Sequence, residues 1–383
     1  MATDLAIFLA TSGHSGVDRL AKNLVPALAR RGYRIDLLQV RGHGPYFTDI
    51  PDGVRLIDLG TRHVYPSLPA LVRYLRRERP ASLLCDKDRV NHTALLARAL
   101  AGSPTYLALR MGTTVSIDLA RRGAFERWKT RQSMGRLYPL ADNILVVSEG
   151  VADDMAAYTG LPRERITVVP SPIFPASLFA ADLPRPDHPW FADGQPPVIL
   201  GVGEPSFRKD FETLIRAFAR LRPEFPSRLM ILGRGRRHDS LLALARELGV
   251  AEDVALPGFV DNPFHYLAHA RLFAFTSRWE GMPFALVEAL AVGVPVVATD
   301  CPSGPREVLH GGKYGPLVPV GDAAAFAAAM LETLRNPLPR TALQEAARPY
   351  EFESATTAYA KALNLRAADL EPFSYGRGQG EGK

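Results

Sequence analysis

Two tandem α/β domains, each built on a parallel sheet, follow from three features of the sequence. Short apolar runs alternate with stretches of helical spacing, the alternation occurs twice, and a proline-rich segment separates the two halves. The length of 383 residues exceeds what one hydrophobic core usually serves, and 47% hydrophobic with 22% charged residues is ordinary for a globular enzyme.

Leu5–Ala10 reads as a buried strand. The loop Gly13-His14-Ser15-Gly16 leads into Val17–Arg31, where Leu20, Leu24, Val25 and Leu28 recur at helical spacing and Gly32 stops the helix. Strands follow at Arg34–Val40, Ser82–Cys85, Thr105–Leu109, Asn143–Val147 and Ile166–Val169, with helices at about Thr93–Leu100 and Val151–Thr159. The prolines between Pro170 and Pro197 sustain neither a helix nor a central strand, which makes this stretch a linker. The alternation restarts with strands at Val198–Val202, Arg228–Leu232, Val254–Leu256, Leu272–Phe275 and Val294–Ala298. Helices fit at Asp210–Leu221, Ser240–Leu248 and Phe284–Ala291. The expected organisation is a first Rossmann-like domain over 1–172, a linker over 173–197 and a second Rossmann-like domain over 198–350. A C-terminal helix over 351–370 is expected to pack back on the first domain, followed by a flexible tail over 371–383. Two such domains leave an interdomain cleft, and ligands of such sheets bind outside the C-terminal strand ends.

Only two cysteines, Cys85 and Cys301, point to a reducing compartment rather than a disulfide scaffold. Met1–Asp4 shows no signal-peptide pattern and no segment approaches about 18 apolar residues, so a cytoplasmic protein is expected. The net charge of +6 is uneven, because residues 1–170 hold 24 Lys/Arg against 16 Asp/Glu while the remainder holds 22 against 24. A basic first half suggests an anionic partner, either a phosphorylated acceptor or the inner face of an acidic membrane bound peripherally; a merely solvated surface fits as well. The run Arg121, Arg122, Arg127, Lys129, Arg131 and Arg136 lies on a predicted helix and is open to the same readings. The histidines show no metal-ligand spacing, and neither a paired-Cys motif nor a Walker loop is present. No metal and no nucleic-acid partner is expected.

Three motifs carry chemistry. Ser277–Ala291 runs from a strand end through Gly281, Met282 and Pro283 into a helix opening at Phe284 and Ala285, whose free amides can hold a phosphate. Glu280 before the helix and Glu288 about one turn inside it suit hydrogen bonds to sugar hydroxyls; a solvated pair flanking an ordinary helix is the plainer reading. Gly201–Phe211 places Arg208 and Lys209 shortly after Gly203, cations suited to a diphosphate leaving group, or surface residues at a helix start. Thr11–Arg19 sets Gly13, His14 and Gly16 between the first strand and helix, where amides can approach a phosphate or acceptor, or simply make a tight turn. The three-glycine spacing of the dinucleotide fingerprint is absent.

Glu280 and Glu288, with seven residues between them, closely resemble the donor-site signature of glycosyltransferase family 4, together with Gly293–Asp300 and Gly304-Pro305-Arg306-Glu307. The likeness covers roughly 195–335, through Gly233-Arg234-Gly235 and Gly258-Phe259, and continues more thinly at Val147–Val151 and the first glycine loop. The resemblance implies the GT-B fold and a hexosyltransferase-type enzyme. Such an enzyme moves a sugar, with retention, from a nucleoside-diphosphate sugar to a hydroxyl of a glycan or lipid-linked acceptor, in polysaccharide or glycolipid assembly. Neither a metal nor another cofactor is implied. Glu288 would hold ribose, Glu280 the donor sugar, Lys209 with Arg208 the diphosphate, and the Phe284 and Ala285 amides a phosphate. Gly281, Met282, Pro283, Gly203, Gly233, Gly258 and Phe259 would line the donor. Two positions depart from the family pattern. Glu204 stands where relatives carry an arginine, and Gly112 or a neighbour stands where many place a histidine, leaving Arg110, Thr113 and Thr114 as polar contacts. Two other readings stay open: a sugar-nucleotide epimerase or hydrolase on the same scaffold, and a non-catalytic nucleotide-sugar-binding subunit.

Overall fold

The computed structural model describes residues 3–13, 15–120 and 122–366. His14, Arg121, the last residues of the expected C-terminal helix and the tail over 371–383 lie outside the described residues. Two parallel sheets form the molecule. The first contains β1 (Leu5–Phe8), β2 (Ile35–Gln39), β3 (Val54–Asp58), β4 (Ser82–Asp86), β5 (Tyr106–Met111), β6 (Asn143–Val146) and β7 (Ile166–Val168), in the order β3-β2-β1-β4-β5-β6-β7. The second contains β8 (Val198–Val202), β9 (Arg228–Leu232), β10 (Val254–Gly258), β11 (Leu272–Phe275), β12 (Val296–Thr299) and β13 (Leu317–Val318), in the order β10-β9-β8-β11-β12-β13. In each sheet the order reverses beside the first strand, which marks the C-terminal ends there as the place for a ligand.

The central strands are apolar at successive positions because helices cover both faces. Leu5–Phe8 is buried throughout. In the second sheet the helix Phe211–Leu221 turns Phe211, Leu214, Ile215, Phe218 and Leu221 onto Ile199, Leu229 and Ile231. Each such side chain contributes roughly 1.5–3 kcal/mol by leaving water. β3 and β13, for which the sequence carries no strand signal, are sheet edges; β3 is half exposed and β13 is two residues long.

Contacts divide the chain into two compact units, Met1–Leu109 with Tyr359–Lys383, and Arg110–Ala358. The division falls inside β5 rather than in the proline-rich stretch. That stretch is tied down within its unit: the Ile173 amide donates to the Tyr350 carbonyl at 2.8 Å, the Phe352 amide donates to the Phe174 carbonyl at 2.9 Å, and Phe174 is buried. In the first unit, Ser82 Oγ donates to the Leu363 carbonyl at 2.5 Å.

Asp36 pins the β3 edge. It is the register partner of Arg55 and accepts from Arg55 Nε at 2.7 Å and Nη2 at 2.8 Å, from Tyr74 Oη at 2.7 Å and from Thr3 Oγ1 at 3.0 Å. Burial pushes this carboxyl up, but the donors, Arg55 foremost, outweigh burial and hold it below the usual carboxylate range. A carboxylate lowered by folding contributes its full stability above the unfolded value of about 3.9 and loses it as pH falls through the folded value. Asp36→Asn is expected to flatten the fall of the urea midpoint between about pH 4 and pH 2. A variant midpoint falling as steeply as the parent's would remove Asp36 from the acid response.

Candidate active site

Glu280, Lys209 and Arg208 meet within the unit Arg110–Ala358, where the chain leaves β8 and β11. Residues 276–283 cross from β11 to the helix Phe284–Val292, and Glu280 lies on that crossing, only 6% exposed. One of its oxygens accepts from Lys209 Nζ and from Ser277 Oγ, each at 2.8 Å; the other pairs with Arg208 Nη1 at 2.5 Å. The Lys209 ammonium also sits 4.8 Å from the Phe275 ring centroid. Thr276 Oγ1 donates to the Lys209 carbonyl at 2.9 Å and the Arg278 amide to the Arg208 carbonyl at 2.7 Å, which locks the two crossings side by side. Arg278 in turn pairs with Asp210 at 3.0 Å and covers the Phe207 ring. One carboxylate against Lys209 and Arg208 leaves a positive excess suited to an anion. Burial, then the Glu280 charge, pushes the nearby Cys301 thiol up to about 12, so it is no nucleophile at neutral pH.

Glu288 is buried as the fifth residue of the helix Phe284–Val292. At the start of this helix the Phe284 amide turns back to the Met282 carbonyl at 3.1 Å, and the Leu286 and Val287 amides donate to the Pro283 carbonyl at 3.0 and 3.2 Å. The Ala285 amide has no backbone acceptor among the described residues. Of the two amides expected to hold phosphate, Ala285 is therefore the open one.

Gly203 and Gly233 follow β8 and β9, and Gly258 closes β10; their φ angles are 149°, 143° and 96°. The Gly203 amide donates to the Leu232 carbonyl and the Gly233 amide to the Gly258 carbonyl, both at 2.8 Å. A Cβ on Gly233 would lie 1.9 Å from the Gly203 oxygen, and one on Gly203 2.8 Å from Lys209 Cε. Only glycine permits this approach, and the strand ends present bare backbone. Phe259 beyond them is exposed, as is Glu204, so Arg208 and not position 204 joins Lys209.

Two segments of the first sheet's later half hold the Glu280 crossing. Thr114 Oγ1 donates to the Glu280 carbonyl at 3.1 Å and Ser148 Oγ to the Gly281 carbonyl at 3.0 Å. Glu307 accepts from the Glu149 and Gly150 amides at 2.6 and 2.8 Å. Arg110 is buried, with its Nη1 3.0 Å from where a Gly112 Cβ would stand. Thr113 is exposed, and Thr114 is the hydroxyl bonded to the Glu280 carbonyl.

The first glycine loop belongs to the other unit. Gly13, at φ 90°, lies against Tyr46, and a Cβ there would come within 2.6 Å of the ring. Gly16 opens the helix Gly16–Arg30 with free space around it, while His14 lies outside the described residues. Asp18 accepts from the Thr11 hydroxyl, and from the Ser15 hydroxyl and amide at 2.6 and 2.7 Å. Burial raises this carboxyl, but the Ser15 and Thr11 donors together bring it below the usual range. A carboxylate thus caps the helix start, which fits a turn closed on itself.

The fold has solved counterparts. The apo lipopolysaccharide outer core galactosyltransferase WaaB superposes with a TM-score of 0.74 over 94% of this chain and 99% of its own, at 18% identity. Anabaena HepE in complex with UDP gives 0.76 over 95% and 100%, also at 18% identity. The family description "Glycosyl transferases group 1" matches residues 196–336, and "Glycosyl transferase 4-like domain" matches residues 15–172. The N-acetylgalactosamine-N,N'-diacetylbacillosaminyl-diphospho-undecaprenol 4-alpha-N-acetylgalactosaminyltransferase of Campylobacter jejuni is 30% identical over 329 residues, 82% of this chain and 86% of the relative. The lipopolysaccharide core biosynthesis glycosyltransferase LpsE of Rhizobium meliloti is 30% identical over 357 residues, 91% and 95% of the two chains. The chain belongs to the GT-B glycosyltransferases.

This glycosyltransferase is an enzyme of the hexosyltransferase type. Sequence reasoning quoted Ser277, Arg278, Asp210 and Ser148 within its motifs but assigned them no role. Ser277 stands three residues before Glu280, a spacing that could have flagged it; nothing in the sequence links Ser148 to Gly281. A Cβ on Gly281 would lie 2.2 Å from the Gly112 carbonyl oxygen. Forced overpacking costs about 1–3 kcal/mol, so Gly281→Ala is expected to lower the melting temperature of the glycosyltransferase by several degrees and to cut kcat by shifting Glu280. Calorimetric melting identical to the parent's would show that the crossing has room to spare.

Proposed function

We propose that the enzyme moves a sugar, with retention and without a metal, from a nucleoside-diphosphate sugar to a hydroxyl of a lipid-linked glycan, as a family 4 glycosyltransferase of the cytoplasm. The observation that carries this reading is the buried Glu280 carboxylate shared by Lys209 and Arg208. Before the donor arrives Glu280 is the counter-charge of both cations. A diphosphate takes over that role and releases the carboxylate to accept hydroxyls of the donor sugar.

In the transfer, the bond from the anomeric carbon to the phosphate oxygen breaks and a bond to the acceptor oxygen forms on the same face. The acceptor proton passes to the leaving phosphate, so no protein nucleophile is required. Lys209 and Arg208 stabilise the charge growing on the diphosphate. Glu288 takes the ribose hydroxyls and the Ala285 amide a phosphate oxygen. UDP is the expected nucleotide, since HepE was solved with UDP. The Campylobacter relative is named for a diphospho-undecaprenol acceptor and LpsE for lipopolysaccharide core biosynthesis, which favours a lipid-linked glycan here.

A thermal-shift panel of uridine, guanosine and adenosine diphosphate sugars tests the donor. A ligand at about 100 times its Kd adds roughly 2.7 kcal/mol of stability, so the correct one stands out, and a flat panel would overturn the reading. Transfer to an added lipid-linked acceptor, rather than release of free sugar or an epimer, separates transfer from hydrolysis and epimerisation. Glu288→Ala is expected to abolish UDP binding by titration calorimetry; an unchanged isotherm defeats its ribose role. Lys209→Met should lower kcat about 100-fold or more.

A further inference from the structure

The helix Ala124–Leu137 belongs to the unit Arg110–Ala358 and is anchored by its C-terminal half, where Met134 is buried and Gly135 faces the Thr159 carbonyl. Its first six residues are all exposed. Phe125 is 72% and Trp128 58% exposed, and their rings stack with centroids 6.0 Å apart. Residues three apart share a helix face, so the two rings form one apolar ridge. Lys129, four residues after Phe125, and Arg131, three after Trp128, flank that ridge on either side. Arg127 lies next beyond Arg131. None of these three cations makes an ion pair among the described residues, and Glu126 is the helix's one acid. A solvent-facing aromatic ridge bordered by unpaired cations matches the chemistry of an anionic bilayer interface, where aromatic rings enter the headgroup layer and cations meet phosphates.

We propose that this face docks the enzyme onto an anionic lipid surface, with Phe125 and Trp128 inserted and Arg127, Lys129 and Arg131 on lipid phosphates. The inference adds to the functional reading, in which a lipid-linked acceptor lies at such a surface, but its test needs neither donor nor acceptor. The full chain is floated with vesicles of phosphatidylcholine alone and with vesicles containing phosphatidylglycerol. Flotation with the second and not the first is expected, weakening as salt is raised. Each basic residue near the surface strengthens binding about fivefold, so Lys129→Gln with Arg131→Gln should weaken partitioning about 25-fold. Phe125→Ser with Trp128→Ser should abolish it while leaving melting and UDP titration unchanged, which keeps a failure here distinct from a failure of the nucleotide assignment. As a check requiring no disruptive change, the parent's tryptophan emission should shift to the blue on vesicle addition, and Trp128→Phe should lose that shift. Absence of flotation, equal flotation of the aromatic double variant, or binding only when the vesicles carry a polyprenyl diphosphate would each overturn the proposal.

Discussion

The C-terminal end of the second sheet is organised around one buried carboxylate. A lone charge at the position of Glu280 would be expensive to bury, and Lys209, Arg208 and Ser277 together make it tolerable. The demand propagates outward. Keeping Lys209 in reach requires glycine at 203, and that glycine's oxygen in turn requires glycine at 233. Keeping the Glu280 crossing in place uses the Thr114 and Ser148 hydroxyls on two consecutive carbonyls and excludes any side chain at 281. Charge balance at one point thus sets residue identity at several others distant in sequence.

The same arrangement holds two cations in place without leaving them loose. Side-chain entropy is lost when Lys209 is ordered, and that loss is met in folding rather than on ligand binding. Under the proposed function, a diphosphate would meet an ammonium already aimed, between a ring and a carboxylate.

Much of the architecture was legible because central parallel strands are buried on both faces and announce themselves as apolar runs. Val198–Val202, Arg228–Leu232 and Leu272–Phe275 coincide with their expected bounds. β3 was not legible, since Val54-Arg55-Leu56-Ile57-Asp58 sits at an edge where charged side chains are welcome. Glu280 and Lys209 could be singled out by motif, yet their contact depends on β8 and β11 being neighbours, which sheet order decides and local pattern does not. Thr113 and Thr114 could be named together, but which of them meets the Glu280 carbonyl is decided by the turn beyond the strand end, which buries Thr114 and exposes Thr113. The turn of the Phe284 amide back to the Met282 carbonyl has an equally local origin in the passage through Pro283.

Both cysteines are buried, and their thiols are held protonated, Cys85 by burial and the Asp86 charge and Cys301 by burial and the Glu280 charge. Maleimides and other thiol-seeking probes therefore meet a chemically silent background at neutral pH. A single cysteine introduced on the surface can carry a fluorophore or spin label as the one reactive position, with no native residue removed beforehand.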